Sequence, residues 1–281
     1  MDFRLPAALV LLAAGAVASE ASNACRATPR PAPGLSSVLG GFTAIAAQVV
    51  WFRADEAVLA NDEDRALTLL RTLVDLEPHV VSASRQAAHE IGWNMVQGRS
   101  DPATRWSLAA EAVRILSDCI RRNPGSAEAL RNRGRYLTTY LMSDDALAAA
   151  YTRNVDRRGP AGTAFDDFGR ALDMAPDDTD AAGGLAQTGG RLGVEAADAG
   201  RWADAVAPLR AAVRGWDVTL ADVRVVLARE IAAGGREADE LARAEDGRAA
   251  LAELLQVAEA PAAERDGLLT EFRRRRPGLL R

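Results

Sequence analysis

The chain has 281 residues, of which 48% are hydrophobic and 26% charged, a balance that allows a sizeable core and excludes an intrinsically disordered protein. All 34 basic residues are arginine, and 39 acidic residues bring the formal net charge to -5. An acidic chain without a large basic patch lacks the electrostatic signature of nucleic-acid binding, so DNA and RNA are excluded as partners. Aromatic residues make up 5%, and Ala, Leu and Val dominate the apolar content, which predicts an all-α protein with closely packed helices.

Residues 1–24 are predicted to be a signal peptide or an N-terminal membrane anchor. The apolar stretch Leu5–Ala18 suits a secretory signal and falls short of the roughly 20 residues that span a bilayer. A small-x-small cleavage site ends at Ala18, just before Ser19. We therefore expect export to the bacterial cell envelope, with three alternatives: cleavage near Ser19, retention as an anchor, or lipidation at Cys25.

Residues 25–37 are predicted to be a Pro-rich linker, because three prolines and a glycine in "CRATPRPAPGLSS" disfavour a regular helix. Cys25 opens this linker, and Cys119 lies in a predicted amphipathic helix. A structural disulfide is not expected between them.

Helix pairs are predicted over residues 38–218. In "TAFDDFGRALDMAP", Ala164 and Phe168 share one helical face, and a proline ends the helix. "GRWADAVAPLRAAV" repeats the arrangement: Trp202 and Ala205 follow a glycine, Gly200, that lets the chain turn. "RALTLLRTLVDLEP" and "AEAVRILSDCIRRNP" are weaker copies, and their small residues are Ala66 and Ala112.

These stretches resemble the second helix of the tetratricopeptide repeat. The resemblance implies a first helix before each, with a small residue facing the alanine, and Gly92, Gly134 and Gly193 match that position. "AIAAQVVWFRADEAVLAN" supplies a helix before the first copy. The chain over residues 39–218 also resembles uncharacterised bacterial envelope-associated proteins with such repeats. The resemblance implies a helical-repeat solenoid of about four irregular pairs.

The repeat spacing is irregular. The alanine recurs at positions 66, 112, 164 and 205, so the steps are 46, 52 and 41 residues, against the family's standard of about 34. Residues 143–163 contain most of the longest insertion, for which a short helix plus a loop is one option. Pro208 is expected to kink its helix. Capping helices are predicted near 219–232, 236–258 and 261–275, within a C-terminal region of 219–281.

No catalytic, metal or cofactor motif is recognisable, so we predict a non-enzymatic protein without cofactor or metal. "HEIGWNM" has no second histidine at metal-binding spacing, and the glycine pairs lack the lysine of a phosphate loop. In "PDDTDAAGG" the aspartates are interpreted as a helix N-cap, as is Asp101 before Pro102. Asp144-Asp145 and Asp166-Asp167 are interpreted as solvated, and the Arg273–Arg276 run as a fraying helix end rather than a membrane contact.

Function is therefore expected to reside in a surface. In tetratricopeptide repeats the first helices line a concave groove, and alignment places Glu128, Arg131, Asn132 and Arg135 in it. The last three resemble residues with which some family members hold a peptide carboxylate, so an acidic peptide segment is the expected ligand; solvated helix surface is the alternative. The same alignment predicts further partner-binding residues at Gln86, His89, Trp93 and Arg191.

The predicted function is a protein-protein interaction scaffold of the envelope, with membrane association through the N-terminus. The alternative is a helical shell around a lipid-binding or enzymatic site. A deep apolar pocket lined by Trp51, Trp93 and Trp106 would favour that alternative.

Overall fold

The described residues of this computed structural model, 42–226, 236–277 and 279–280, form eleven helices and contain no strand. The prediction of an all-α protein is therefore confirmed for this part of the chain. The chain divides into two units, Met1–Asn123 and Pro124–Arg281. The N-terminal segment, the linker and Cys25 lie outside the described residues.

The first unit contains two helix pairs. Its helices are α1 (Thr43–Leu59), α2 (Glu63–Leu76), α3 (Val81–His89, continued by a π-helical segment Glu90–Met95) and α4 (Pro102–Arg122). Helix α1 packs on α2, and α3 packs on α4. The predicted packing residues Ala66 and Ala112 are buried, and so is Gly92 within the π-helical segment. Cys119 is buried and forms no disulfide with a described residue.

The second unit has seven helices. They are α5 (Ala127–Tyr136, continued by a π-helical segment Leu137–Leu141), α6 (Asp145–Asn154), α7 (Gly159–Met174), α8 (Thr179–Asp198), α9 (Trp202–Val226), α10 (Arg236–Glu259) and α11 (Ala262–Arg275). Helix α5 packs on α7, and each helix from α7 to α11 packs on the next. A core cluster around Leu209, Leu254 and Phe272 joins α9, α10 and α11.

Helix starts follow the polar residues that precede them. Asp101 accepts a hydrogen bond from the Thr104 amide at 2.7 Å, and Asp178 accepts one from the Ala181 amide at 3.0 Å, so both predicted N-caps are confirmed. Asp144 was expected to be a solvated residue, but its carboxylate accepts hydrogen bonds from two amides at the start of α6. Asp144 is half-buried and serves as the N-cap of α6, where the first amides of the helix need an acceptor.

Glycines allow the paired helices of the second unit to approach closely. A Cβ on Gly193 would lie 2.5 Å from Cγ of Leu209, and one on Gly134 would lie 2.9 Å from the ring of Phe168. Each glycine was expected to face the alanine, Ala205 or Ala164. The nearest side chain instead belongs to the residue one turn later, because the larger Leu or Phe fills the space that the glycine leaves. Both alanines are fully buried.

The turn between α8 and α9 follows the sequence prediction. Gly200 has a φ of +70°, in the left-handed region that glycine adopts without strain. Trp202 is half-buried against the C-terminal core cluster, and the Arg265 guanidinium lies 5.7 Å from the centre of its ring. This is cation–π distance.

The insertion forms a helix and a loop. Helix α6 packs on α7, and the loop after it is fixed where Tyr151 donates to Thr163 at 3.0 Å and Thr163 donates to Asp156 at 2.9 Å. The option of a short helix plus a loop is therefore the observed conformation.

The C-terminal region differs from the prediction at its start. One helix runs from Trp202 to Val226, so no separate helix begins at residue 219, and the end of the predicted helix 219–232 lies outside the described residues. The helix continues through Pro208, and the other two predicted helices are confirmed. The arginine run pairs with acidic side chains, for example Arg275 with Glu253 at 3.2 Å, and Leu280 is buried. The expected fraying is therefore wrong for the described part of the tail.

Candidate interaction surface

Four polar residues near the end of helix α5, Arg131, Asn132, Arg133 and Arg135, differ sharply in environment. Ser126 caps the helix by accepting from the Ala129 amide at 3.2 Å. A 3.6-residue turn places residues 131 and 135 on one face and turns 133 away from them. The four side chains therefore have different neighbours although they lie within one and a half turns.

Arg131 is tied to the next helix pair. Its Nη1 donates to Oδ2 of Asp178 at 2.7 Å, while Oδ1 of the same carboxylate caps α8. The Asp178 carboxylate therefore caps α8 and also pairs with an arginine of α5. The predicted ligand-binding guanidinium already has a structural carboxylate partner, which offsets much of its charge.

Asn132 is 91% buried, since its relative exposure is 9%. Its side-chain nitrogen has no hydrogen-bond partner among the described residues. A buried amide donor without a partner costs about 1–3 kcal/mol, so native proteins rarely keep one without a reason. This residue is the most unusual of the predicted set.

Arg133 forms an ion pair that sequence reasoning missed. Its Nε and Nη2 donate to the two oxygens of Asp167, both at 2.7 Å, and only 1% of the Asp167 side chain is exposed. Burial raises the pKa of the Asp167 carboxyl, and the hydrogen bonds from Arg133 oppose that rise. Asp167 is therefore part of the core, and its interpretation as a solvated residue is wrong.

A signal for this pair does exist in the sequence. Arg133 directly precedes Gly134, and Asp167 directly precedes Phe168, the two residues that touch across α5 and α7. Opposite charges beside a packing contact indicate an ion pair across the same helix interface.

Arg135 is exposed and has no ion pair with any residue that the structure describes. Arg131 is offset by Asp178 and Arg133 by Asp167, so the exposed charges of α5 without an ion pair to a described residue are Arg135 and, two turns earlier on the same face, Glu128. An acidic ligand that binds beside Arg135 would therefore meet one free guanidinium and, if it reached the helix surface, the amide of Asn132.

The other predicted partner residues lie elsewhere. Gln86, His89 and Trp93 are half-buried on α3 and its π-helical continuation, in the first unit. Arg191 lies on α8, thirteen residues or about 20 Å of helix beyond Asp178, and donates to Glu195 at 2.8 Å. The structure thus groups Arg131, Asn132 and Arg135 on one helix and separates Arg191 from them.

A cleft of about 230 Å³ lies between α6, the start of α7 and α8. Arg191 and Glu195 line it together with Arg158, which pairs with Asp156 and Asp166. Its lining includes no tryptophan. Trp51, Trp93 and Trp106, which would line an apolar pocket under the alternative function, are each half-buried on their own helices.

Comparison with protein families and with curated proteins gives no match to any family and none to any curated sequence. Within the described ranges, no helix is long and apolar enough to cross a membrane. The same ranges contain no group of three or more His, Cys, Asp and Glu side chains that could hold a metal ion.

Proposed function

We propose that this protein is a non-enzymatic interaction scaffold that binds an acidic peptide segment of another protein at the face of α5 formed by Asn132 and Arg135. The observation that carries the proposal is the buried Asn132 amide without a partner, one turn from an uncompensated guanidinium. A bound carboxylate or peptide carbonyl would satisfy that amide, and the charged Arg135 would favour an acidic ligand.

The irregular helix pairs support a tetratricopeptide-like solenoid as the scaffold. Glycine in one helix against a large residue in the next recurs in two pairs, at Gly134 with Phe168 and at Gly193 with Leu209. In such a solenoid the first helices form a continuous binding face. We place α5 and its polar residues on that face, in a protein that is exported to the cell envelope or anchored there by its N-terminus.

The ion pair between Arg131 and Asp178 changes how the ligand is held. Because Arg131 is compensated, the ligand gains one charge-assisted contact, from Arg135, rather than two. One such contact contributes about 1.5–3 kcal/mol, which corresponds to roughly a tenfold or greater change in affinity. Arg131 then acts as a positioning residue that holds α5 against the start of α8.

The test is binding of acidic peptides with a free or an amidated C-terminus, measured by fluorescence anisotropy. Arg135→Ala should weaken the bound peptide by at least about tenfold and leave the melting temperature unchanged, because the side chain is exposed. Arg157→Ala, at another exposed arginine of the same unit, is the matched control and should have no effect on binding.

Asn132→Leu separates a ligand-binding role from a structural one. Leucine has a similar volume and needs no hydrogen bond, so stability should stay equal or rise by about 1 kcal/mol while peptide binding falls. If Asn132→Leu instead lowers stability and leaves binding intact, the amide serves the fold. Equal peptide affinity in the wild type and in Arg135→Ala would refute the proposed surface.

A further inference from the structure

Helix α1 exposes an unusual number of apolar side chains. Phe42, Ile45, Val49, Phe52 and Leu59 all have large exposed fractions, from 45% at Ile45 to 84% at Leu59. The opposite side of α1 is buried through Ala47, Ala54 and Ala57 and packs on α2. The alanine face of α1 is therefore covered by α2, whereas the described residues leave the apolar face exposed.

The exposed residues follow a heptad pattern. Together with Glu56 they form what we call the α1 seam: Phe42, Ile45, Val49, Phe52, Glu56 and Leu59. Successive members are separated by three and four residues in alternation, the spacing at which a helix packs against a second helix. The pattern matches another helix better than a flat surface such as a bilayer.

From this spacing and from the charges on α1 we infer that the α1 seam is a dimer interface, in which α1 of a second copy of this chain packs antiparallel. In that arrangement Val49 meets Phe52 of the other copy, Phe42 meets Leu59, and Ile45 meets Glu56. A two-fold axis requires that each contact occurs twice, with the roles of the two copies exchanged. These pairs meet that condition because the two residue numbers add up to the same total in every pair. The inference concerns a different surface from that of the proposed function and does not depend on it.

The charges on α1 favour the antiparallel orientation. The first turn of α1 contains no acidic residue, and its N-cap, Phe42, makes no side-chain capping hydrogen bond. An antiparallel partner brings its Glu56 to this turn, where the positive end of the helix dipole stabilises a carboxylate. A parallel partner would place the two Glu56 side chains opposite each other, and like charges there repel.

The size and charge of the seam fit a reversible dimer. Five exposed apolar side chains, two of them phenylalanines, offer on the order of 500 Å² per chain, so two copies would bury about 1,000 Å² in total. That is the low end for a specific interface. Beside the α1 seam, Arg53 pairs with Glu56 at 3.9 Å, and Asp55 adds a second carboxylate. This part of α1 therefore lacks the net positive charge that attracts anionic lipid.

The association test is sedimentation velocity on the full chain over a wide concentration range. The wild type should shift reversibly from monomer to twice the monomer mass. Phe52→Glu should weaken dimerisation by at least about a hundredfold, because the substitution occurs in both copies. Leu268→Glu is the matched control: Leu268 is an exposed apolar residue on α11, 41% accessible, and its substitution should leave dimerisation intact.

The orientation test uses disulfide formation in a Cys25→Ser background. Val49→Cys and Phe52→Cys chains should cross-link when the two variants are mixed, and Val49→Cys alone should cross-link poorly. Cross-linking of Val49→Cys with itself as the dominant product would indicate a parallel pair and overturn the proposed geometry. A wild type that stays monomeric at every concentration would overturn the dimer interface itself. The α1 seam would then have another occupant, either residues 1–41 or lipid.

Discussion

The close contact between α8 and α9 predicts opposite effects for the same substitution at two helical glycines. A Cβ on Gly189 would lie 2.6 Å from the carbonyl oxygen of Pro208 and 3.2 Å from the amide nitrogen of Ala212. Both are backbone atoms, so neither can move aside by a rotamer change. Gly247, on α10, has open space around its Cβ position, with no non-local heavy atom of the described chain within 4 Å.

Alanine at a helical glycine gains up to about 1 kcal/mol from helix propensity. At Gly247 that gain should be retained, so Gly247→Ala should stabilise the protein by about 0.5–1 kcal/mol. At Gly189 overpacking costs about 1–3 kcal/mol and must push the two helices apart, so Gly189→Ala should be destabilising overall. Each kcal/mol corresponds to about 2–4 °C in melting temperature for a unit of this size.

The assay is thermal and urea unfolding of the wild type and both variants, followed by circular dichroism. The expected order of stability is Gly247→Ala, wild type, Gly189→Ala. A Gly189→Ala protein as stable as Gly247→Ala would mean that α8 and α9 do not approach through their backbones, and the packing derived for the second unit would be wrong.

Three further predictions test the ion pairs and the α8–α9 contact. Asp167→Ala should cost about 3–5 kcal/mol in urea unfolding, because it removes the buried carboxylate that neutralises the largely buried Arg133 guanidinium. Asp167→Leu combined with Arg133→Met should cost less than this single change. Hydrogen bonds from Arg114 and Arg71 lower the pKa of Glu111 to about 2. The stability that Glu111 contributes is therefore present above about pH 4.5 and is lost as pH falls toward 2. Glu111→Gln should flatten the curve of unfolding free energy against pH in that window. Gly193→Leu should lower the melting temperature and Arg201→Ala should not, since Arg201 is exposed; equal shifts would contradict the contact.

Sequence patterns predicted the helices and several of their ends because these depend on local chemistry. The small residue on each second helix, the prolines after them and the Asp101 and Asp178 caps all act within a few residues of the chain. The predicted break near residue 219 is wrong although Gly215, Asp217 and Thr219 lie there, because the helix continues through all three. Gly215 instead lets α9 approach α8, since a Cβ at this position would clash with the backbone of Ala182. Whether a glycine ends a helix or packs against another one depends on tertiary contacts that the local sequence does not show.

The candidate site was only partly predictable because its chemistry depends on residues far apart in the chain. Periodicity placed Arg131 and Arg135 on one face, but the partner of Arg131 is Asp178, 47 residues later. Asp167 looked solvated because it follows another aspartate, whereas the close contact of α5 with α7 buries it beside Arg133. Burial of Asn132 likewise follows from tertiary packing.

The most direct measurement of the central claim is site-specific photo-cross-linking in the native host, with a photoreactive residue placed at position 135 or at position 157. Both positions are exposed arginines of the second unit, and position 157 lies in the loop after α6. The proposed surface predicts one discrete cross-linked protein from position 135, attached through an acidic segment, and none from position 157. Cross-linking from position 157 alone would contradict the claim and assign recognition to the insertion.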